Sequence, residues 1–301
     1  MTYKKIRIVF TTPFSSLPTA DQLFGQIVWA ISDLYGEHEA DEFMEKFSQN
    51  PPFLISATIP EGFMPVPFYP PMKQVVADGK SRAKAKQNKK RKWIPLNEFC
   101  VLQRDQNQIR TFDFSSGPKI GEKVEEHVRI DRNTLRADDG SLHAERYVTT
   151  ANPLVAYISF RDDQVRQMTA LLHKVCEYFG IVGLGGNRNV GRGVCTVSLV
   201  DLNEEEEQIF KFHSTAPQPF MTLSRCSGED LLQGAVAYSV TAYTGITGRA
   251  DNGLFNKKPV VGFELGATFR NGKGNLVRDV HPNGKVCTYA YAFPVPISLE
   301  E

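Results

Sequence analysis

The stretch DDQVRQMTALLHKVCEYFGIVGLGGNRNVGRGVCTVSLV, residues 162–200, contains a helix signal, a glycine-rich loop and a strand signal in that order. Its first half has apolar residues at helical spacing, and Gly180 is the residue predicted to end the helix. The predicted apolar face consists of Val165, Met168, Leu172, Val175, Cys176 and Phe179. Residues 194–200 (VCTVSLV) predict a strand, so this segment is expected to fold as helix, loop and strand.

The chain upstream of this segment has a strand, a helix and two further strands. Residues 5–10 alternate as a strand, and residues 53–59 and 153–160 predict two more. Thr19 is expected to cap a helix that ends at Gly36. The predicted apolar face of that helix carries Leu23, Ile27, Ile31 and Leu34.

Together these signals have the order βαββαβ, which is the ferredoxin-like, RNA-recognition-like arrangement of an α+β fold. A proline-rich insertion at about residues 60–150 separates the second strand from the third. Residues 206–301 are rich in strand signals with almost no helical period, and we expect a β-rich, degenerate copy of the first half. The predicted domains are therefore 1–205, with the insertion, and 206–301.

Composition places the chain among intracellular globular proteins. It has 301 residues, 41% of them hydrophobic, a formal net charge of +1 and five cysteines with no Cys-x-x-Cys pair. The start MTYKKIRIVF is too short and too charged for a signal peptide, and no window predicts a membrane helix. We expect a cytoplasmic protein that does not bind a membrane.

The glycine-rich loop does not match the nucleotide-binding motifs that it superficially resembles. Gly186 and Gly191 have the P-loop spacing, but the lysine and the Ser or Thr that should follow are absent. Arg188 occupies the place of the third glycine of the dinucleotide fingerprint. Both motifs also follow a strand and open a helix, whereas this loop follows a helix and opens a strand. We therefore expect no nucleotide cofactor.

The composition of the loop favours a nucleic-acid backbone as its ligand. Glycines allow positive φ and close approach, successive backbone N–H groups bind anions, and arginine provides forked donors. The alternative is a helix cap followed by a surface loop. The candidate RNA-binding residues here are Gly183, Gly185, Gly186, Asn187, Arg188, Asn189, Gly191, Arg192 and Gly193.

A basic run, KSRAKAKQNKKRKW at residues 80–93, is a second candidate for phosphate contact, with Trp93 as a stacking ring. The alternative is a solvated loop. Its candidate residues are Lys84, Lys86, Lys89, Lys90, Arg91 and Lys92. In the C-terminal half, TGITGRADN (244–252) contributes Arg249, for which an ordinary hairpin turn is the competing interpretation.

The segment HVRIDRNTLRADDGSLHAERYV (127–148) predicts a β-hairpin with Asp139–Gly140 at its turn. A turn explains Asp138 and Asp139 better than paired catalytic or metal-binding carboxylates do. His127 and His143 suit general acid–base chemistry, but the preferred interpretation is that they only flank the hairpin. None of the six histidines has zinc-site spacing, so we expect no metal.

These motifs in this order resemble the RAMP superfamily of CRISPR proteins. The resemblance rests on LPTADQLFGQIVWAI, the glycine-rich loop, KWIPLNEF, the hairpin segment and YAFPVPI. Within the superfamily, the chain is most similar to the fourth subunit of the type III-A Csm interference complex, and the type III-B capping subunit is a close alternative. The resemblance implies that Arg129, Arg132 and Asn133 contact RNA.

The resemblance also implies a function. That family caps the 5′ repeat-derived handle of the guide RNA and joins the large polymerase-like subunit to an adjacent backbone RAMP subunit, with target RNA near the hairpin. It is not known as a nuclease, so we expect a non-catalytic RNA-binding subunit. The alternative is a metal-independent RAMP endoribonuclease that processes precursor CRISPR RNA. A nucleotide-dependent enzyme is the third and weakest hypothesis.

Overall fold

The computed structural model of the chain describes residues 1–70, 91–110, 117–212, 218–251, 254–282 and 284–299, with the side chains of 110, 248–251 and 254–255 left out. The helices are α1 (Ala20–Tyr35), α2 (Glu37–Gln49), α3 (Leu96–Leu102), α4 (Val165–Val182), α5 (Glu204–Phe210) and α6 (Glu229–Gly234). The first nine strands are β1 (Thr2–Phe10), β2 (Phe53–Ile55), β3 (Ile59–Pro60), β4 (Phe63–Pro65), β5 (Trp93–Pro95), β6 (Ile120–His127), β7 (His143–Thr150), β8 (Leu154–Phe160) and β9 (Cys195–Val200). The remaining strands are β10 (Phe220–Thr222), β11 (Ala235–Ala237), β12 (Val240–Tyr243), β13 (Ile246–Asp251), β14 (Leu254–Asn256), β15 (Val260–Phe263), β16 (Thr268–Phe269), β17 (Gly274–Val277), β18 (Thr288–Tyr291) and β19 (Pro294–Pro296).

The N-terminal sheet has the strand order β2-β8-β1-β9, and every pair in it is antiparallel. When the four strands β1, β2, β8 and β9 are counted in chain order, their order in the sheet is second, third, first, fourth. Helices α1 and α4 make the two crossovers, and their apolar faces pack with Ile6 and Ile8 of β1 in one core. The predicted βαββαβ arrangement with a long insertion is therefore confirmed.

Two predicted helix features are wrong in detail. α4 continues through Gly180 to Val182 and is capped by Gly183, whose φ is +78° and whose N–H donates to the Phe179 carbonyl. Glycine lowers helix propensity but does not stop a helix that is held by a buried face. On α1, Leu34 is 41% exposed and does not belong to the buried face.

Helix α2 was not predicted, because acidic residues separate its apolar positions. It buries Ala40, Phe43 and Phe47 and exposes most of its charged side chains. Phe47 packs against Phe24 of α1 with ring centroids 4.6 Å apart. α2 thus lengthens the first crossover and adds a layer of aromatic side chains to the core.

The strand predicted over residues 53–59 is interrupted. β2 and β3 both pair with β8, but between them the N–H groups of Ala57 and Thr58 turn away from β8, while the Ser56 N–H still donates to the Tyr157 carbonyl. The Ala57 N–H donates to the carbonyl oxygen of Leu223 in the C-terminal half, at 2.8 Å. A hydrogen bond to another part of the chain therefore replaces one to the neighbouring strand.

The hairpin is present, but its two paired strands end at His127 and His143, further from Asp139–Gly140 than a two-residue turn would place them. β6 and β7 pair without a register shift from Ile120 opposite Thr150 to His127 opposite His143. Residues 128–142, here called the hairpin tip, connect the two arms. Asp139–Gly140 lies inside this tip and is not a two-residue turn between the strands, because the second, shorter bridge pairs Ile130 with Ala137.

The C-terminal half contains a sheet with the order β11-β16-β10-β19, again antiparallel throughout. Its strands also follow the order second, third, first, fourth. α6 lies in the first crossover, and the β17–β18 ladder occupies the place of the second crossover helix. The β-rich, degenerate ferredoxin-like prediction is therefore confirmed for this half.

Both halves bury side chains in a shared core on the sheet face opposite α1 and α4. Val155 and Tyr157 of β8 pack there with Met221 and Phe293, and all four are fully buried. The boundary predicted near residue 205 stays a prediction about organisation. In the part of the chain that the structure describes, no helix has the length and apolarity needed to cross a bilayer.

Candidate functional site

Three segments meet at one end of the N-terminal sheet: the β1–α1 loop, the glycine-rich loop (183–194) and the base of the hairpin. The Thr11 N–H donates to the Val194 carbonyl at 2.9 Å, and the Gly193 N–H donates to the Pro13 carbonyl at 3.0 Å. Phe14 and Val148 exchange two backbone hydrogen bonds at 3.0 and 2.7 Å. The β1–α1 loop therefore holds the other two segments side by side, and we call this region the loop site.

The glycines of the loop serve different purposes. A Cβ on Gly193, whose φ is +68°, would lie 2.0 Å from the Leu184 carbonyl oxygen, so no other residue fits without moving backbone. Gly191 has a φ of +79° but open space around it, so only its backbone conformation requires glycine. Close backbone packing thus explains part of the glycine content, which the composition alone had suggested was for RNA binding.

Most backbone N–H groups of the loop already have acceptors within the protein. The residues whose N–H groups donate in this way are Gly183, Leu184, Gly185, Val190, Gly191, Arg192, Gly193 and Val194. Among the residues that the structure describes, no acceptor faces the N–H groups of 186–189. Asn187 has a left-handed conformation with φ 58°. Residues 186–189, here called the loop tip, are exposed. The predicted anion-binding backbone is therefore limited to this tip.

The two arginines of the loop have different environments. Arg188 is exposed, and its Nη1 lies 3.5 Å from the Gly183 carbonyl oxygen. The Arg192 side chain is only 19% exposed because it pairs with the Glu125 carboxylate of β6. The Arg192 guanidinium also stacks over the Tyr147 ring, 4.2 Å from its centroid. Arg188 is available to a ligand, whereas Arg192 anchors the hairpin to the loop.

A second contact joins the hairpin to the loop. The Tyr147 hydroxyl donates to the Glu145 carboxylate, and the Asn187 Nδ2 donates to the same carboxylate at 3.1 Å. The Tyr147 hydrogen bond, helped by nearby His127, His143 and Arg192, holds the pKa of Glu145 below its ordinary value. We call the set Glu125, Glu145, Tyr147, Asn187 and Arg192 the latch.

Three members of the latch, Glu125, Glu145 and Tyr147, were not predicted from the sequence. Glu125 and Glu145 lie directly opposite each other across the β6–β7 ladder, and Tyr147 is two residues beyond Glu145. Two like charges at facing positions destabilise a ladder unless cations or donors compensate them. The facing carboxylates of Glu125 and Glu145 could have indicated that cationic or donor partners come from elsewhere in the chain.

His127 and His143 face each other at the end of the same ladder. Their rings are nearly parallel, with an interplanar angle of 24° and centroids 5.5 Å apart. The His143 Nδ1 lies 3.1 Å from the Ser141 carbonyl oxygen, and its Nε2 lies 3.8 Å from a Glu145 carboxylate oxygen. The pair thus borders the latch.

The other predicted RNA contacts lie on segments other than the glycine-rich loop. Arg129, Arg132 and Asn133 are exposed on the hairpin tip, where Arg129 lies 3.7 Å from Asp138. Lys92 is exposed next to β5, on the side of the sheet that carries α3, and the Val66 N–H donates to its carbonyl.

The structure describes the remaining predicted basic residues only in part. Arg91 is partly buried beside Lys92. Arg249 lies in β13, which forms a hairpin with β14, and its side chain is not described. The candidates that lie outside the described residues are Lys84, Lys86, Lys89 and Lys90.

An open cavity of about 590 Å³ borders the loop tip on the side of α4. Its lining residues are Tyr178, Val182, Gly185, Gly186, Asn187, Arg188 and Asn189. Tyr178 and Val182 come from the last turns of α4 and were not predicted as site residues, because their spacing identifies them only as helix positions. Within the described ranges, no three His, Cys, Asp or Glu side chains lie together as metal ligands would.

Comparison with known proteins shows the fold. No protein-family profile and no curated protein matches the sequence. Among solved structures, the chain is similar to the Csm4 subunit of a Csm1–Csm4 cassette in complex with AMPPNP, with a TM-score of 0.67, 17% identity and 99% of each chain covered.

A second similar structure is a Csm3–Csm4 subcomplex in the type III-A CRISPR-Cas interference complex, with a TM-score of 0.68 and 16% identity. That match covers 98% of this chain and 99% of the other. A Csm1–Csm4 cassette in complex with cA4 matches with a TM-score of 0.65 and 15% identity over the same extent as the first. The fold of this chain is therefore that of Csm4 over nearly its whole length.

Proposed function

We propose that this chain is a non-catalytic RNA-binding subunit of a type III CRISPR interference ribonucleoprotein, and that its loop site holds the 5′ repeat-derived handle of the guide RNA. The observation that supports the proposal most is the fold similarity to Csm4 over 99% of both chains. The loop site supplies an exposed arginine and outward N–H groups. The hairpin, whose base joins this site, carries exposed basic residues at its tip.

The buried sheet face limits where RNA could bind. RNA-recognition folds commonly stack bases on aromatic side chains of the sheet. Here Tyr157 on that face is fully buried in a core that it shares with Phe293 of the C-terminal half. A strand of RNA would have to lie on the loops at the end of the sheet, where Arg188 is exposed.

The proposed partners follow from the compared complexes. The similar structures contain Csm4 together with Csm1 or with Csm3. By analogy, this chain would contact a large polymerase-like subunit and an adjacent backbone RAMP subunit. Target RNA would pass near the hairpin tip, and the assembly would act in the cytoplasm in antiviral defence.

The test is binding of synthetic single-stranded RNA with the sequence of the associated CRISPR repeat. Affinity should fall with salt, with a log–log slope of about −0.7 for each phosphate contacted. Arg188→Ala should weaken binding and make this slope shallower, because one exposed donor for phosphate is lost. Arg166→Ala, an exposed arginine at the other end of α4, is the matched control. Equal affinity and slope for all three proteins would exclude the loop site as the handle site.

The histidine pair supports a second candidate, a metal-independent endoribonuclease. His127 and His143 are close enough to act together, and Glu145 lies beside them. Acid–base catalysis of this kind contributes about 10²–10⁴-fold to a rate. We expect no cleavage of repeat RNA by the full chain in the presence of a chelator. Cleavage that falls by that factor in His127→Ala with His143→Ala would instead establish the nuclease.

A further inference from the structure

We infer that the cavity beside the loop tip binds one unstacked nucleobase of the RNA, with the Tyr178 ring as its stacking surface. This inference rests on the proposed function, because it assigns a part of the handle to a part of the loop site. The cavity is open to solvent, and Tyr178 and Val182 line it from α4.

The position of the cavity favours a base over a phosphate. It lies at the C-terminal end of α4, a helix of 18 residues whose last turn borders the loop. The C-terminal end of a helix carries a partial negative charge and unpaired carbonyl groups. An anion is disfavoured on the α4 side of the cavity, whereas the amino group of adenine, cytosine or guanine suits that partial negative charge.

Tyr178 is held in place before any ligand binds. Its hydroxyl donates to the Asp33 carboxylate of α1 at 2.5 Å, which fixes the ring through a contact between two helices. A ring that is already oriented loses little conformational entropy when a base stacks on it. Asp33 is therefore a positioning residue, and it acts through the tyrosine.

The loop tip is placed to hold the rest of the same nucleotide. Gly186, Asn187 and Arg188 of the loop tip also line the cavity, and the exposed Arg188 suits the adjoining phosphate. The exposed Asn189 amide provides both a donor and an acceptor for the edge of the base. One nucleotide would thus place its base against α4 and its phosphate on the tip.

The experiment uses the full chain and repeat RNA in which each nucleotide in turn is made abasic. In the parent protein, one abasic position should weaken binding by about 5- to 150-fold, the range for loss of one stacked base. In Tyr178→Leu, the same abasic position should cause no further loss, because the stacking partner is gone. Tyr178→Phe should keep most of the effect of the abasic position, since the ring remains. Tyr35→Leu, an exposed tyrosine outside the cavity, is the control.

The outcomes separate this inference from the proposed function. If every abasic position has the same effect in Tyr178→Leu as in the parent, and intact RNA still binds, the base pocket is wrong and the proposed function stands. If the parent does not bind repeat RNA, both are wrong. If Tyr178→Leu is unstable, Tyr178→Phe and Arg188→Ala are compared instead. The pocket would also be wrong if the effect of the abasic position is lost in Arg188→Ala but kept in Tyr178→Phe.

Discussion

At the scale of single residues, the two arginines of the glycine-rich loop illustrate how partners decide a role. Both have the same chemistry and neighbouring glycines, yet Arg192 is occupied by Glu125 and Tyr147 while Arg188 is exposed. An ion pair with a planar stacking partner uses the guanidinium fork fully. Arg192 therefore connects elements, and Arg188 is the candidate ligand contact.

We predict that Arg192→Ala loosens the hairpin. The variant loses the Glu125 pair and the stacking on Tyr147, so the midpoint of thermal unfolding should fall by a few degrees and the amides of β6 and β7 should exchange faster. Arg192→Lys retains the charge but not the fork, and should recover part of the protection. Unchanged hydrogen exchange in the alanine variant would show that the latch does not hold the hairpin.

Glu145 gives the latch a dependence on pH. Its pKa in the folded state is lowered, chiefly by the Tyr147 hydrogen bond, so it contributes stability above the ordinary glutamate pKa. That contribution is lost as the pH falls through the lowered folded-state value. Glu145→Gln should therefore be less stable than the parent at neutral pH, and the difference should shrink in acid. Thermal melts across this range measure it, and a constant difference would contradict the assignment.

At the scale of elements, the glycine-rich loop is a tightly packed turn with a small exposed tip. Its two ends are joined by the Leu184 N–H, which donates to the Gly193 carbonyl at 2.9 Å. The hairpin packs against one side of the loop and α4 against the other, so the tip of 186–189 is what reaches outward. The loop can therefore present a few groups accurately, because the remainder is fixed by backbone hydrogen bonds.

We predict different costs for two glycine substitutions in this loop. Gly191→Ala adds a side chain in open space and should cost about 1 kcal/mol for the left-handed conformation. Gly193→Ala should cost more, because its Cβ would lie 2.0 Å from a backbone oxygen and the loop would have to open. Chemical denaturation measures both. Equal costs would mean that the close approach at Gly193 is relieved without penalty.

At the scale of the whole molecule, buried polar contacts join the two halves. The Tyr289 hydroxyl of β18 accepts a hydrogen bond from the Ile55 N–H at 3.0 Å inside the core. Lys5 of β1 donates to the Glu206 carboxylate of α5 at 2.8 Å, and the Tyr157 hydroxyl donates to the same carboxylate at 2.9 Å. We therefore expect the chain to unfold in one cooperative transition.

We predict that Glu206→Gln is strongly destabilising. Glu206 is completely buried and Lys5 is 7% exposed, so the variant leaves a buried ammonium without its main partner. Breaking such a pair costs about 3–5 kcal/mol. Glu207→Gln is the matched control on the same helix, because its pair with Lys211 is exposed and should contribute less than about 1 kcal/mol. Similar losses in both variants would contradict the buried network.

Local pattern in the sequence was enough to predict the ferredoxin-like order of the N-terminal half. The apolar faces of α1 and α4 and the alternation in β1 depend on neighbours within a few residues, so the pattern survives without knowledge of the fold. α2 was missed because its buried face needs only three apolar positions among acidic ones. The composition of 183–193 predicted a binding loop, which stays a prediction, and did not indicate which of its groups face outward.

Only the tertiary structure determined which residues of the candidate site are exposed and which are paired within the protein. Nothing local distinguishes Arg188 from Arg192, or Gly191 from Gly193, because the difference lies in β6, β7 and the β1–α1 loop, which are distant in sequence. The same holds for Tyr178, whose role in the cavity depends on Asp33 of α1 and on the loop tip. The sequence by itself determined most elements of the N-terminal half, since propensity and periodicity are local. Only the fold determined which donors are occupied, because an acceptor contributed by another element is set by packing.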